Sequence, residues 1–589
     1  MRDEVCKYRT FSRRALVLGT VKGVLISCLI SRFYYLQILK SSKYKTLSDK
    51  NRLRILLILP KRGEIVDTKG VVLAKNIKIY SLFVRGKHRN EIKALVEKIN
   101  DTIVGQKIDI AVVCRKARVA SNIESMKLLE NLLLQNAILL DSHPDLKEIE
   151  IKEEYVRRYP LKGYIFHITG YLGNISTSDT NYKNLPKYYD FLIGKDGIER
   201  KFNNKLQGKL GIQKIEVDAK GNFVKKVDFI PSIPGEDVRL SIDKDVQEII
   251  WKYMENKTGS ITVMNLDTGK IIGMVSSPTL DTNIFTEGMS NEQWYTIKNK
   301  QQNTLVNKCI SAKYHPGSIF KLVMFLAILK QGLNPLDRIF CRGHYKLGGR
   351  GYSCWKKSGH GYVNLEEALF QSCNVYFFEQ SLKIGIEKIT EMAVLLGLFQ
   401  KTNIELPFEV SGLIPSKEWK QKRYKATWYL GDTINVSIGQ GYIGTTPIQL
   451  LQMIARIATN RNLFPSIIHS EYNEGVENKI AISTQDLSRL KLAMLKVFYN
   501  KDGTGYINRI EDQEYKIAGK SGTAQVVGKK HNTDNPLYRD HSLFVGFAPF
   551  ENPKFAISTV IEHGGWGSKT ALPISKQILL DIRDIARLT

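Results

Sequence analysis

Residues 314–333 read YHPGSIFKLVMFLAILKQGL. The proline and glycine before Ser318 stop the preceding structure, and the apolar run from Ile319 to Leu333 predicts a long buried helix. Ser318 and Lys321 then lie one helical turn apart, so the amine can accept the hydroxyl proton. Backbone N–H groups at a helix start also favour a developing oxyanion. The stretch predicts a serine nucleophile, although an N-cap serine gives the same pattern.

Two further strings supply the partners that such a nucleophile requires. Ser372-Cys373-Asn374 follows an apolar helical stretch, and its hydroxyl and amide suit a proton relay and a substrate contact. Lys520-Ser521-Gly522-Thr523 lies in a predicted strand, where the glycine lets a substrate backbone approach and the amine and hydroxyls suit a carboxylate. Each string alone is also typical of buried polar groups that satisfy the local backbone, or of a solvated edge lysine.

The sequence around these strings predicts an α+β fold, with an antiparallel sheet flanked by helices. Residues 261–267 and 270–277 predict a hairpin around Asp267-Thr268-Gly269, and residues 542–550 and 555–562 predict two more strands. Residues 573–588 predict a terminal amphipathic helix. We therefore assign residues 236–589 to a catalytic domain.

The N-terminal part predicts a membrane anchor and a separate non-catalytic domain. Residues 15–38, ALVLGTVKGVLISCLISRFYYLQI, are about long enough to cross a bilayer, although Lys22 and Arg32 leave a buried or surface amphipathic helix as an alternative. Residues 1–14 would then be a cytoplasmic N-terminus. Residues 39–235 predict an elongated mixed α/β pedestal, in which 118–140 is a charged helical stretch.

The formal net charge of +29 over 589 residues does not predict a nucleic-acid partner. Lysines and arginines are spread along the chain without one dense basic run, and no phosphate loop or RNA-binding signature occurs. Attraction to an anionic membrane or wall polymer remains open.

The three ordered strings resemble the Ser-x-x-Lys, Ser-x-Asn and Lys-Ser/Thr-Gly set of penicillin-binding proteins and serine β-lactamases. The similarity continues through Arg62-Gly63-x-Ile65-x-Asp67-x-x-Gly70, Gly439-Gln440-Gly441 and Asp540-His541. Over nearly the entire chain it is similar to class B penicillin-binding proteins, most closely those of rod-shape elongation.

This resemblance implies a peptidoglycan D,D-transpeptidase that cross-links stem peptides through a serine acyl-enzyme. It implies β-lactams as acylating inhibitors, no catalytic cofactor, and a single-pass protein of the bacterial inner membrane with a periplasmic catalytic domain. A SEDS-family glycan polymerase and other elongation-complex proteins are the implied partners. The implied roles are nucleophile for Ser318, base for Lys321, proton relay for Ser372, substrate-amide contact for Asn374, carboxylate binding for Lys520, Ser521, Gly522 and Thr523, and an oxyanion hole from the N–H groups of Ser318 and Thr523.

To act as a base near neutral pH, Lys321 needs a lowered pKa. The apolar helix around it and the nearby Lys520 are the predicted causes.

Three of the seven cysteines crowd round these strings. Cys341, Cys354 and Cys373, with His360, make a Cys₃His set suited to a structural zinc ion. The resemblance implies a zinc ion at this place, because such relatives can hold one through a comparable histidine and cysteine with carboxylates, and cysteines in place of the carboxylates are our inference. The alternatives are a Cys341–Cys354 disulfide and free thiols.

Other functions remain open from the sequence. A division-specific class B transpeptidase is the nearest alternative. A D,D-carboxypeptidase or β-lactamase would need efficient attack by water on the acyl-enzyme, and no Glu-containing loop motif of the class A type is present. A non-catalytic penicillin-sensing receptor would normally need further membrane spans.

Overall fold

The structure is a computed structural model that describes residues 2–40, 52–84, 89–119, 126–146, 148–176, 191–217, 223–287, 289, 291–299, 303–469, 478–526 and 535–588. The chain divides into two compact units. The first comprises Met1–Arg62 and Gln207–Gly235, and the second comprises Gly63–Leu206 and Glu236–Thr589.

The first unit contains the predicted anchor and one small sheet. A helix covers Arg2–Tyr34 and continues as the π-helix Tyr35–Leu39. Its part Arg13–Leu39, 27 residues, is long and apolar enough to cross a membrane, and it includes the predicted span 15–38. The sheet is antiparallel, with Gly211–Val217 between Leu53–Ile58 and Phe223–Ile230.

The second unit begins with a five-stranded sheet built around the long strand Val72–Val84. That strand pairs antiparallel with three others, and a fourth, Val238–Arg239, joins Ile65–Val66 in parallel. Apolar side chains from the sheet and from the neighbouring helices form one core. The remaining elements are the strands Met126–Leu132 and Ile149–Arg158 and the helices Arg89–Thr102, Ile110–Val119 and Leu134–Asp141.

The helix predicted over 118–140 is wrong in its middle part. Met126–Leu132 is a strand, and among the described residues of this stretch helix is present at its two ends, in Ile110–Val119 and Leu134–Asp141. Leu128 and Leu132 are buried because the strand pairs with Val72–Val84 and turns these side chains into the core. Tertiary pairing therefore overrides the local helical pattern.

The string around Gly63 and Asp67 has a structural role. A Cβ atom on Gly63 would lie 2.0 Å from the carbonyl oxygen of Glu236, so only glycine fits. The buried Asp67 carboxylate accepts hydrogen bonds from the backbone N–H groups of Lys69 (2.8 Å) and Val71 (2.7 Å). These contacts hold the turn before the strand Val72–Val84.

The catalytic part of the second unit is organised by a five-stranded antiparallel sheet, as predicted. Its strands lie in the order Ile271–Ser277, Gly259–Asn265, Phe555–Ile561, His541–Ala548 and Ala518–Ala524. Side chains alternate between two cores, so Leu543 and Val545 face one and Phe544 faces the other. Ala518–Ala524 is an edge strand, and it carries the Lys520 string.

Helices cover both faces of this sheet, which confirms the α+β class. Lys321–Lys330 is enclosed in the larger core, with every residue from Leu322 to Ile328 buried. The remaining helices longer than five residues are Lys244–Met254, Asn291–Asn299, Leu365–Phe370, Asn374–Ile384, Ile386–Leu395, Lys417–Tyr424, Leu430–Ser437, Pro447–Thr459, Thr484–Tyr499 and Ala571–Leu588.

Shorter elements complete the second unit. The two-stranded pairs are Leu172–Asn174 with Leu192–Gly194, Ile339–Cys341 with Gly361–Val363, and His344–Leu347 with Arg350–Ser353. The short helices are Lys162–Ile165, Phe166–Thr169, Gly197–Lys201, Asn203–Gln207, Ile284–Glu287, Lys308–Ser311, Gly317–Phe320, Tyr506–Asn508 and Pro536–Tyr538.

A buried ion pair joins distant parts of the second unit. Arg157 Nε lies 2.7 Å from Glu199 Oε1, and the two side chains are 1% and 0% exposed. Arg157 also donates to the carbonyl oxygen of Gly63 at 2.8 Å, and Tyr159 Oη donates to Glu199 at 3.3 Å. Loss of one partner would leave a charge without compensation in a low-dielectric interior.

We predict that Arg157→Met lowers the free energy of unfolding by about 3–5 kcal/mol, because the Glu199 carboxylate stays buried without its partner. Urea unfolding followed by circular dichroism measures the change. The matched control is Lys388→Met, which breaks an exposed pair with Glu391 (48% and 60% exposed) and should cost less than about 1 kcal/mol. Equal losses in the two variants would contradict the role of burial.

Candidate active site

The predicted nucleophile lies on a short turn before the buried helix. Gly317–Phe320 is a 3-10 helix that leads into Lys321–Lys330. Ser318 is half-buried and Lys321 is fully buried. The turn has Pro316 at its N-cap position and a positive φ of 54° at Gly317. The sequence predicted that Ser318 opens the α-helix. In the structure Ser318 instead lies in a tight turn directly before that helix.

The first two strings meet through hydrogen bonds. Ser372 Oγ lies 3.0 Å from Ser318 Oγ. Lys321 Nζ donates to the carbonyl oxygen of Ser372 (2.8 Å), to Ser372 Oγ (3.2 Å) and to Asn374 Oδ1 (2.7 Å). The described hydrogen bonds thus link Ser318 to Lys321 through Ser372, which stands between the hydroxyl and the amine.

Ser372 has an unusual backbone conformation for this position. Its φ is +58°, a region that non-glycine residues seldom adopt. The next residue, Cys373, is the N-cap of the helix Asn374–Ile384. The strained residue directs its hydroxyl towards Ser318, and such strain is common at functional sites.

The third string lies on the edge strand Ala518–Ala524. Lys520 is fully buried and its Nζ donates to the carbonyl oxygen of Ser521 at 3.1 Å. Ser521 is buried and Thr523 is half-buried. Thr523 Oγ1 accepts a hydrogen bond from the Gly567 N–H at 3.2 Å. The strand thus presents an amine and two hydroxyls beside Ser318.

The two lysines have lowered pKa values. Burial lowers the pKa of Lys321 to about 8, although nearby cysteine thiols partly oppose this. Burial, and then repulsion by Lys321, lowers the pKa of Lys520 well below its ordinary value. For Lys321 the direction of the predicted shift and burial as its cause agree with the prediction, whereas Lys520 is not among the causes that lower the Lys321 pKa.

Glycines allow the nucleophile turn to touch the edge strand. A Cβ atom on Gly317 would lie 2.5 Å from the Thr523 carbonyl oxygen, and one on Gly522 would lie 2.7 Å from the Pro316 carbonyl oxygen. On the other side, a Cβ on Gly439 would lie 2.2 Å from the Gly317 carbonyl oxygen, and Gly317 N–H donates to Gly439 at 3.0 Å. Three backbones therefore meet directly under Ser318.

Sequence reasoning did not assign roles to several residues that build this site. Gly439 packs on the turn, and Gln440 Nε2 donates to the Thr523 carbonyl oxygen at 3.1 Å. Tyr314 Oη donates to Glu562 Oε1 at 2.6 Å and fixes the approach to the turn. The string Gly439-Gln440-Gly441 was the available signal, because two close glycines indicate tight backbone contact.

The four predicted metal ligands also come together. The sulfur atoms of Cys341, Cys354 and Cys373 and a ring nitrogen of His360 lie within 4.8 Å of one another. His360 Nδ1 is 3.5 Å from Cys341 Sγ and 3.6 Å from Cys354 Sγ. A tetrahedral zinc ion with ordinary bond lengths separates its sulfur and nitrogen ligands by about 3.6 Å.

The donor set therefore fits zinc in type and number, and the two distances from His360 to Cys341 and Cys354 match the expected spacing. The three cysteines are free thiols in the structure. The cluster also borders the catalytic residues, because Asn374 N–H donates to Cys354 Sγ at 3.3 Å.

Two family models together match most of the chain. The family model of the penicillin binding protein transpeptidase domain matches residues 259–580, and that of the penicillin-binding protein dimerisation domain matches residues 57–240. The chain is 32% identical to the peptidoglycan D,D-transpeptidase MrdA of Salmonella typhimurium (98% of this chain, 97% of the relative). It is 31% identical to the protein of the same name from Escherichia coli K12 (98% and 95%).

Two solved structures are similar over most of the chain. The Helicobacter pylori penicillin-binding protein 2 in complex with MreC superposes with a TM-score of 0.80 at 28% identity, covering 90% of this chain and 99% of that one. The Pseudomonas aeruginosa penicillin-binding protein 2 in complex with WCK 5153 has a TM-score of 0.67 at 29% identity, covering 89% and 96%.

We predict that Gly317→Ala slows the modification of Ser318 by a labelled penicillin about 100-fold, because the methyl group pushes the turn off the edge strand. The rate is measured by intact-protein mass spectrometry. The control is Gly332→Ala, where φ is also positive at 71° but no atom lies within 4 Å of the new Cβ. Gly332→Ala should lower the free energy of unfolding by about 1–2 kcal/mol through backbone strain alone, and it should react with penicillin at the normal rate. A normal rate in Gly317→Ala would refute the packing argument.

Proposed function

Because the chain belongs to the family of penicillin-binding protein transpeptidases, we propose that it is a peptidoglycan D,D-transpeptidase that cross-links stem peptides during cell elongation. The observation that carries the proposal is the chain of contacts from Ser318 Oγ to Ser372 Oγ and on to the buried amine of Lys321, which ends 3.2 Å from the second hydroxyl. The curated relatives named MrdA favour the elongation enzyme over a division-specific one.

The acylation step follows from these contacts. Neutral Lys321 keeps two N–H donors, which suit the Ser372 carbonyl oxygen and Asn374 Oδ1, and turns its lone pair to Ser372. Ser372 passes its proton to Lys321 and takes the proton of Ser318, whose oxygen attacks the carbonyl carbon of the penultimate D-alanine. The C–N bond then breaks, and the terminal D-alanine leaves with a proton returned through Ser372.

Backbone and side-chain groups of the edge strand stabilise the substrate. The N–H groups of Ser318 and Thr523 donate to the oxyanion, since the turn and the strand are in contact at this point. Ser521, Thr523 and the Lys520 charge bind the terminal carboxylate, with Gly522 allowing the close approach. In the second step an amine of another stem attacks the Ser318 ester and gives its proton to Ser318 Oγ.

We also propose that the cluster of Cys341, Cys354, His360 and Cys373 holds a structural zinc ion. A bound ion would add no chemistry to acyl transfer and would fix the loop that carries Asn374. Cys373 separates the two catalytic residues of its string, so the cluster anchors both of them. The fit of the donor distances to tetrahedral zinc supports this assignment.

The remaining assignments concern placement and partners. We propose that the helix at Arg13–Leu39 anchors the chain once in the inner membrane, that residues 236–589 work in the periplasm, and that residues 39–235 form the non-catalytic domain. A relative has been solved with MreC, so a protein of the MreC type is one proposed partner. The family resemblance alone supports the proposal of a SEDS-family polymerase and other elongation-complex proteins as further partners.

We predict a single adduct of labelled penicillin on Ser318 in the full-length protein, and none on Ser318→Ala. The acylation rate should rise with pH, reach half of its maximum near pH 8 and level off about one unit higher, because only the neutral form of Lys321 accepts the proton and its pKa is lowered to about 8. Intact-protein mass spectrometry over a pH series measures both results. An adduct on Ser318→Ala, or a rate that falls as pH rises through 8, would contradict the mechanism.

We predict one zinc ion per chain in protein purified without chelators, measured by inductively coupled plasma mass spectrometry. Cys354→Ser should lose most of this zinc. Cys309→Ser changes a buried cysteine outside the cluster and should retain it. Thiol labelling of the unfolded wild type distinguishes the alternative, because a Cys341–Cys354 disulfide would remove two reactive thiols and leave no bound zinc.

A further inference from the structure

Two tryptophans outside the catalytic strings touch each other. The ring centroids of Trp355 and Trp566 are 6.4 Å apart at an interplanar angle of 73°, an edge-to-face contact. Both rings are about half exposed, at 44% and 53%. Exposure of a pair of large apolar rings to water is unfavourable in free energy. The exposed pair therefore indicates a contact with substrate or another group during function.

Trp355 belongs to the wall formed by the second string. It follows Cys354, whose sulfur accepts the Asn374 N–H, and its own Nε1 donates to the carbonyl oxygen of Gln371 at 3.1 Å. Gln371 directly precedes Ser372. The Trp355 ring and the residue before it are therefore both bonded to the segment that carries the relay serine and Asn374.

Trp566 belongs to the opposite wall, formed by the edge strand. Its carbonyl oxygen accepts a hydrogen bond from Ser542 Oγ at 3.2 Å. The next residue, Gly567, donates to Thr523 Oγ1, and a Cβ atom there would lie 2.1 Å from the Gly522 carbonyl oxygen. The backbone of Trp566 is thus pressed against the carboxylate-binding string.

The contact between the two rings consequently crosses the catalytic cleft. Ser318 has Ser372 on one side, 3.0 Å away, and the Thr523 backbone on the other, where it meets Gly317. One tryptophan is attached to each of these walls, and the rings meet at the exposed rim. In the described structure this ring pair, named here the aromatic clasp and defined as Trp355 and Trp566, joins the two segments that flank Ser318.

We propose that the aromatic clasp closes over the acylated Ser318 and shields its ester from water, so that an amine is the preferred acceptor. In hydrolysis the water oxygen attacks the ester carbonyl, the bond to Ser318 Oγ breaks, and one water proton passes to that oxygen. In transfer an amine nitrogen attacks instead and gives up its proton in the same way. Exclusion of bulk water slows the first reaction. This inference rests on the proposed transpeptidase function.

The test measures how long the acyl-enzyme lasts in the full-length protein. Wild type and the variants Trp355→Ala, Trp566→Ala and the double variant are acylated with a labelled penicillin, the free drug is removed, and loss of the adduct is followed by intact-protein mass spectrometry. Each single variant should hydrolyse the adduct about tenfold faster, which is about 1.4 kcal/mol in the barrier. The double variant should match the single ones, because the clasp needs both rings.

Trp294→Ala is the matched control, since it removes a surface tryptophan from the helix Asn291–Asn299, outside the catalytic segments. It should keep the wild-type rate. Trp566→Ala is the decisive variant. The Trp355 ring also contacts the His360 ring, with 5.4 Å between the centroids, so loss of the Trp355 ring would also disturb the cysteine cluster. If Trp566→Ala folds poorly, Trp566→Phe should give a smaller increase in the same direction.

The outcomes separate the two proposals. A normal Ser318 adduct whose lifetime is unchanged in Trp566→Ala would overturn the clasp and leave the transpeptidase intact. A double variant about 100-fold faster than wild type would also overturn it, because the rings would then act independently. Absence of any adduct in wild type would contradict the transpeptidase function itself, and the clasp with it.

Discussion

The close approach of two backbones is the constraint on which the catalytic centre depends. The turn that carries Ser318 touches the edge strand that carries Lys520, and this contact exists only because Gly317 and Gly522 have no Cβ atoms. Gly439 closes the other side of the turn in the same way. The nucleophile, its N–H group and the carboxylate-binding strand are consequently fixed by backbone contacts, which vary less than side-chain rotamers.

The second requirement of the site is the burial of two amines. Lys321 and Lys520 are both fully buried, and each charged form disfavours the other. Burial of a charge costs free energy unless it is compensated, so the fold stabilises the neutral state of Lys321 and obtains a base near neutral pH. The same environment favours binding of the substrate carboxylate. Its negative charge stabilises the protonated form of Lys520, which the site without substrate disfavours. The burial of two neighbouring amines, which costs free energy in the absence of substrate, thus supports both the basicity of Lys321 and the binding of substrate.

The strand and helix patterns at 261–277, 542–562 and 573–588 were sufficient to predict the α+β class. The strings around Ser318, Ser372 and Lys520 were sufficient to select residues that the structure brings together, because each string is a local pattern that can be read from the sequence. The four zinc-type ligands were also selected correctly as neighbours. The strand Met126–Leu132 could not be predicted, since its pairing with Val72–Val84 outweighs a helical pattern of charges. Gly439 was quoted only as a matching string, because the partner that requires a glycine there lies more than a hundred residues away in sequence. Long-range contacts of this kind leave little local signal.

The order of strands in the catalytic sheet has a consequence for biosynthesis. Gly259 pairs with Ile561, near the C-terminus, and among the described strands Ala518–Ala524 pairs with His541–Ala548 alone. Such distant pairing has a high contact order, and it cannot form until nearly the whole chain has been made. A translating ribosome therefore carries a chain without a working nucleophile for most of the time of synthesis. Truncation by even a few dozen C-terminal residues would remove the sheet's closing strands and with them the reactive serine's environment.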